Sequence, residues 1–313
     1  MPDHTTTSML LCSVMLALLP MPTVADEAIP VFVLAGQSNM VGAGQVDADP
    51  VRNEGMGTLR WLVDESPEKA RYAHLKDKQG AWIERDDVLI WYFDRKGPLK
   101  PGYGANASRI GPELGFGSVV GDAWNEPVLL VKIAWGGKSI GKDFRPPSSG
   151  GETGPNYRIL VDTTKEILEK AGDLFPELAG REFELMGIGW HQGWNDRINQ
   201  EFNDAYEVNL TNLIQDLRRD LDAPDLPFVI AETGMSGPEE KHPRALSLMA
   251  AQAAVAEREE FKGNVAFVGT RSFYRSPDIS PSGQQYHWNS NAETYYLIGE
   301  GMGRAMVGLC TRK

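Results

Sequence analysis

The stretch VFVLAGQSNMVGAGQ, residues 31–45, decides how the chain is read. Five apolar residues, Val31 to Ala35, end abruptly in Gly36-Gln37-Ser38-Asn39, so a buried strand emerges into a polar turn that carries a hydroxyl. A run that is apolar without alternation is the pattern of a parallel strand covered on both faces. Four more runs share it: VLLVKIA (128–134), LMGIGWH (185–191), PFVIAET (227–233) and VAFVG (265–269). Between and after them, residues 157–175, 206–221, 243–260 and 291–306 place apolar side chains at three- and four-residue spacing, as amphipathic helices do. Strands alternating with helices predict an α/β fold, a parallel sheet with crossover helices on both faces. Residues 46–110, rich in charge, Gly, Pro and aromatics, interrupt this rhythm and read as an insertion that shapes a pocket and carries a small hairpin around residues 81–93.

Bulk properties narrow the function. The 313 residues carry 31 Lys and Arg against 43 Asp and Glu, a net charge of −12 with no dense basic run, which argues against a nucleic-acid partner. Residues 1–25 hold a short apolar core followed by Thr-Val-Ala before Asp26, the pattern of a cleaved signal peptide, although no Lys or Arg precedes the core. The expectation is a protein exported to the periplasm or secreted, without stable membrane insertion, whose residues 26–313 form one domain. With Cys12 inside that segment, Cys310 is the one cysteine expected in the mature chain, so neither an intrachain disulfide nor a cysteine-based zinc site is available. No metal or cofactor motif is present.

Ligands of open parallel sheets bind at the carboxyl ends of strands. Here those ends carry Gly36-Gln37-Ser38-Asn39, AWGGKSIG (134–141), WHQGWND (190–196) and the later segment QQYHWNSNAETY (284–295). A lone serine just after a strand is most often a helix N-cap; the other reading of Ser38 is a nucleophile at a sharp strand-to-helix turn, where first-turn amides also stabilise an oxyanion. It lies in neither a G-x-S-x-G elbow nor a Walker loop, because Met40 replaces the second glycine and no Gly-Lys-Ser/Thr follows.

The ordered blocks GQSNM, WGGKSI, WHQGWND and YHWNSNAETY resemble the sialate O-acetylesterase and acetylxylan esterase branch of the SGNH hydrolases, from about Pro30 to Met306. The resemblance implies a flavodoxin-like three-layer α/β/α sandwich that removes acetyl groups from sugars, with Ser38 as nucleophile and His287 as base. A serine hydroxyl needs a neutral imidazole to accept its proton. His4 lies in the signal segment, His74 in the insertion and His242 in a surface loop; His191 ends a strand and reads as a core histidine. His287, in a polar loop, remains. An apparent pKa of about 6 to 7 is expected for such a base.

Oxyanion donors would be the Ser38 amide, Gly136 or Gly137, and the side chain of Gln192, which matches the family's third block. The acid departs from the pattern. Gln284 stands where many relatives carry Asp three residues before the histidine, and Trp194 stands where relatives carry Glu. Asp196 is the expected triad acid, with Asp278 and an acid-free Ser-His dyad as alternatives. Trp135, Trp190, Trp194 and Trp288 adjoin these motifs, and aromatic faces suit an acetylated carbohydrate partner. Two rival readings stand beside the esterase: a non-catalytic carbohydrate-binding relative, and a hydrolase of a non-carbohydrate ester such as a lipid.

Overall fold

A computed structural model describes residues 27–48 and 52–311, so the segment read as a signal peptide lies outside the described residues. Nine strands occur in them: β1 (Ile29–Gly36), β2 (Gly44–Gln45), β3 (Arg85–Tyr92), β4 (Arg95–Leu99), β5 (Arg109–Ile110), β6 (Val128–Ala134), β7 (Phe183–His191), β8 (Phe228–Ala231) and β9 (Val265–Val268). The helices are α1 (Ser38–Val41), α2 (Leu59–Asp64), α3 (Lys69–Tyr72), α4 (Glu113–Ala123), α5 (Pro155–Leu174), α6 (Trp194–Arg197), α7 (Gln200–Asp204), α8 (Tyr206–Asp220), α9 (Pro243–Ala256) and α10 (Ala292–Cys310).

Seven strands form one sheet in the order β4-β3-β6-β1-β7-β8-β9. Every neighbouring pair is parallel except β3 with β4. The five strands expected from the sequence are β1, β6, β7, β8 and β9, and they lie in the order β6-β1-β7-β8-β9, the flavodoxin-like arrangement. β1 is the strand on either side of which the connection direction reverses, and the crevice beyond its carboxyl end is where such sheets bind ligands.

Alternate side chains of β1 enter two cores. Phe32 and Leu34 pack with Phe116 of α4 and with Ile298, Met302 and Met306 of α10. Val31, Val33 and Ala35 pack with Leu160 of α5, Leu210 and Leu213 of α8, and Leu248 of α9. Each fully buried Val, Leu or Phe contributes about 1.5–3 kcal/mol of transfer free energy, which is why the strand shows no polar face.

Two features differ from the sequence reading. Residues 46–110 are not set apart from the sheet: they supply β3, whose Val88–Trp91 pairs with Val128–Val131 of β6, and the antiparallel edge strand β4. The expected hairpin forms, but as an extension of the central sheet. Helix α4 has three glycines in ELGFGSVVGDA, a composition that weakens helix propensity by about 1 kcal/mol per Gly. Tertiary packing overrides that cost. A Cβ at Gly115 would lie 2.1 Å from the Tyr296 carbonyl oxygen, so glycine is what lets α4 and α10 approach.

Lys132 of β6 is fully buried. Its Nζ donates to the Val41 carbonyl at 2.8 Å, the Tyr103 carbonyl at 2.7 Å and Glu113 Oε2 at 2.7 Å. Burial pulls the ammonium below its ordinary value while Glu113 holds it up. Through Val41 this ion pair fixes the end of α1. Removing one partner strands the other charge in the core, so Lys132→Met is expected to lower unfolding free energy by about 3–5 kcal/mol in urea titrations, more than the Lys132→Met/Glu113→Leu double variant.

Candidate active site

Strand register assembles the site. Gly36 pairs with Ala134 of β6 on one side and His191 of β7 on the other, so Ser38, the 135–141 loop and the 192–196 turn all begin at one level of the sheet's carboxyl edge. A Cβ at Gly36 would sit 2.2 Å from the His191 carbonyl oxygen, so only glycine permits this approach. The chain then turns at Gln37 and enters α1 at Ser38, which stays partly exposed. Ser38 is not the N-cap; Gln37 occupies that position and makes no side-chain cap bond.

Gln37 points inward instead. Its Oε1 accepts from Gly193 N at 3.0 Å, Gln192 Nε2 at 3.2 Å and Asn195 N at 3.3 Å. The Gln192 amide nitrogen also donates to the Lys138 carbonyl at 3.0 Å and Asp196 Oδ2 at 2.5 Å. Asp196 in turn accepts from Ile140 N at 3.0 Å and Gly141 N at 2.8 Å.

Gln192 and Asp196 spend their hydrogen bonds within the protein. Gln192, the expected oxyanion donor, is buried with its amide hydrogens directed to protein acceptors. Asp196, the expected triad acid, has no exposed surface and makes its bonds to the 140–141 amides and Gln192, not to His287, and so ties the loop after β6 to the turn after β7. Burial pushes its carboxyl up to about 6, against the three donors that pull it down. The alternative, Asp278, is fully exposed, with its carboxyl lowered by the Ser276 hydroxyl. Among the described residues neither nitrogen of the His287 ring has a hydrogen-bond partner.

The segment that carries His287 is tied to the Ser38 turn. Asn39 Nδ2 donates to the Tyr286 carbonyl at 3.0 Å, across 247 positions of sequence. The Tyr295 hydroxyl lies 2.8 Å from Asn39 Oδ1 and 3.3 Å from the His287 carbonyl. The residue after the serine is thus bonded to the residue before the histidine. The loop that carries the histidine is strained: Trp288, Asn289 and Ser290 take φ of 51°, 54° and 58°, three successive left-handed residues that are not glycine. Each such conformation costs of order 1–3 kcal/mol. Burial of Trp288, the Ser282 amide on the Asn289 carbonyl at 2.9 Å and Asn289 Nδ2 on the Arg275 carbonyl at 2.9 Å hold the turn. Half-buried, the His287 imidazole is pulled below its ordinary value by desolvation.

The amides of Ser38, Asn39, Gly136 and Gly137 have no acceptor among the described residues, and both glycines are exposed. Gly137 has φ of +67°, and its carbonyl accepts from Asn195 Nδ2 at 2.8 Å, which holds the loop open at the crevice. Such free amides are donors placed for a developing negative charge. His191 is a core residue: it is buried, its Nδ1 lies 3.3 Å from the Ala231 carbonyl, and burial lowers its pKa to about 4. Of the four tryptophans, Trp190 and Trp288 have no exposed surface and wall the core, whereas Trp135 and Trp194 are partly exposed. Among the described residues no cluster of His, Cys, Asp or Glu could hold a metal ion, and no helix is long and apolar enough to cross a membrane.

Gln37, Asn39 and Tyr295 were not singled out by the sequence. Their mark is an amide or hydroxyl at the junction of an apolar run with a loop, where a buried polar group must find a partner.

Comparison with known proteins gives a consistent picture. The model of the family described as carbohydrate esterase, sialic acid-specific acetylesterase, matches residues 28–307. A probable carbohydrate esterase of Arabidopsis thaliana, At4g34215, is 27% identical over 207 residues, which span 64% of this chain and 66% of that protein. The crystal structure of the Arabidopsis thaliana protein AT4G34215 superposes with a TM-score of 0.59 at 19% identity, covering 90% of this chain and 98% of the other. XAC1771, a carbohydrate acetylesterase from Xanthomonas citri, superposes with a TM-score of 0.53 at 12% identity over 90% of this chain and 57% of its own. These two likenesses are likenesses of fold.

Asp196→Asn sets an NH2 group against backbone donors and is expected to cost about 1–3 kcal/mol of stability by urea denaturation. The pH dependence of any histidine-assisted reaction should keep its midpoint in this variant, because Asp196 does not contact the imidazole. A shifted midpoint would restore Asp196 as the acid.

Proposed function

The chain belongs to the carbohydrate esterase, sialic acid-specific acetylesterase family, and from that membership we propose that it is a serine esterase that removes O-acetyl groups from a carbohydrate. The observation that carries the reading is the bond from Asn39 to the Tyr286 carbonyl, which joins the Ser38 turn to the His287 loop at the crevice where the sheet's connections reverse.

In this mechanism Ser38 Oγ attacks the acetyl carbonyl carbon while His287 takes the hydroxyl proton. The carbonyl oxygen becomes an oxyanion, met by the free amides of Ser38 and Asn39 and of the Gly136-Gly137 turn. The tetrahedral intermediate collapses, the sugar oxygen leaves with the proton from His287, and acetate stays as an ester on Ser38. Water, deprotonated by His287, then attacks that ester and releases acetate. With no carboxylate on the imidazole, the pair works as a dyad, its neutral base favoured by desolvation rather than paired with an acid. Export, read from residues 1–25, belongs to the same proposal and would place the enzyme with extracellular or periplasmic acetylated polysaccharide.

Two measurements test it. Ser38→Ala should lower kcat for p-nitrophenyl acetate and for acetylated xylan by about 10³-fold or more, with an unchanged melting temperature; retained turnover contradicts the mechanism. The rate should fall as pH drops, because only the neutral imidazole accepts a proton. Since desolvation lowers the His287 value, the midpoint should lie below the ordinary histidine value of about 6.5, at the acid side of the range expected from the sequence. A midpoint above about 7 or a flat profile would remove His287 from the base's role.

A further inference from the structure

Trp194, the first residue of α6, sits in a row of contacting side chains that leads to His287. Its ring centroid lies 5.7 Å from that of Tyr286 at an interplanar angle of 40°. Tyr286 in turn meets the His287 ring edge-on, with centroids 4.6 Å apart at 62°. On the other side, the Arg197 guanidinium carbon lies 4.6 Å from the Trp194 ring centroid, and Arg197 Nη2 is 3.2 Å from Glu240 Oε2 in a pair only 12% and 9% exposed. A braced row therefore runs Glu240, Arg197, Trp194, Tyr286, His287. Tyr286, between Trp194 and His287, is 41% exposed and is the one aromatic among the exposed large apolar side chains of the described residues.

What sets this exposed ring apart is that its place is fixed: Trp194 packs against it, Asn39 holds the Tyr286 carbonyl and the left-handed turn after His287 fixes the exit of the chain. The ring is presented on purpose-built support next to the residue read as the base. We propose that Tyr286, braced by Trp194, is a stacking subsite for a neutral pyranose ring that carries or adjoins the acetyl ester. The inference rests on the esterase reading above. Axial C–H groups of a pyranose lie flat on an aromatic face, whose negative quadrupole attracts their partial positive charge. Neutrality follows from the row's own charge balance: the Arg197 cation is matched by Glu240 and covered by the indole face, which leaves no free cation in the row for a sugar carboxylate. An acetyl ester without a ring has nothing to place there.

The test compares acetylated xylotetraose with vinyl acetate, both followed by acid release in a pH-stat. Tyr286→Ala should lower the ratio of kcat/KM for the saccharide to that for vinyl acetate about tenfold, chiefly through the saccharide's KM. Trp194→Ala should lower the same ratio severalfold, and Tyr286→Phe should restore most of it, because the ring rather than the hydroxyl binds. In Ser38→Ala protein, acetylated xylotetraose should perturb tryptophan fluorescence, and adding Tyr286→Ala should abolish the response. An unchanged ratio in Tyr286→Ala, or an equal loss on both substrates, overturns the subsite. If the wild-type protein hydrolyses neither ester, it is the esterase reading that fails, and fluorescence with the saccharide still decides whether Tyr286 binds a sugar.

Discussion

One buried oxygen, Gln37 Oε1, organises the carboxyl edge of the sheet. It gathers the amides of Gly193 and Asn195 and the side chain of Gln192. Gln192 passes the connection to the Lys138 carbonyl and Asp196, and Asp196 passes it to the amides of Ile140 and Gly141. The loops that follow β1, β6 and β7 thus hang from a single chain of hydrogen bonds in the protein interior. In a low dielectric such bonds reinforce one another, and each broken link leaves a buried group unpaired at about 1–3 kcal/mol. Ser38, one residue beyond Gln37, takes its position from that chain.

A second set of constraints closes the site from the other layer. Lys132 reaches from β6 to the Val41 carbonyl and fixes the far end of α1. Asn39, in the middle of that short helix, is bonded to the Tyr286 carbonyl and Tyr295, so the helix is held at both ends and at its centre. The left-handed turn at Trp288–Ser290 is tolerated because these contacts and the buried indole of Trp288 over-determine it. Strain at this point buys position: the histidine and the tyrosine before it are presented together, across the crevice from the serine.

The five central strands were legible because a strand buried on both faces holds mostly apolar side chains, and such runs stand out against amphipathic helices. β3 and β4 were hidden by their surroundings. The charges in RKGPL belong to the edge strand β4, and those in RDDVLIWY are confined to the first three residues of β3, its partner, so both segments resemble an insertion in composition. Helix α4 was hidden by glycines whose purpose is contact with α10, a tertiary reason that no local propensity contains. At the site, Ser38, Gly136, Gly137 and His287 were found as residue types that chemistry needs at strand ends, and they do lie at one edge. Gln192 and Asp196 were found too, and both are bonded within the protein; a side-chain amide or carboxylate at a strand end serves equally to catalyse or to secure a loop. Only the direction in which it spends its hydrogen bonds separates the two, and sequence carries no direction. Lys132 could have been read earlier: a lysine within VLLVKIA demands a buried counter-charge, although the sequence does not say that Glu113 supplies it.

The account's central claim is that the serine on the first strand's turn is the reacting group and that backbone amides, not Gln192, receive the oxyanion. The measurement that tests it most directly is a crystal structure of the protein inhibited with an organophosphonate. The account predicts phosphorus bonded to Ser38 Oγ, its oxygen facing the amides of Ser38, Asn39 and the Gly136-Gly137 turn, and the Gln37–Gln192–Asp196 chain intact. Phosphorus on another residue, or Gln192 swung out of that chain to bind the phosphonyl oxygen, would contradict it.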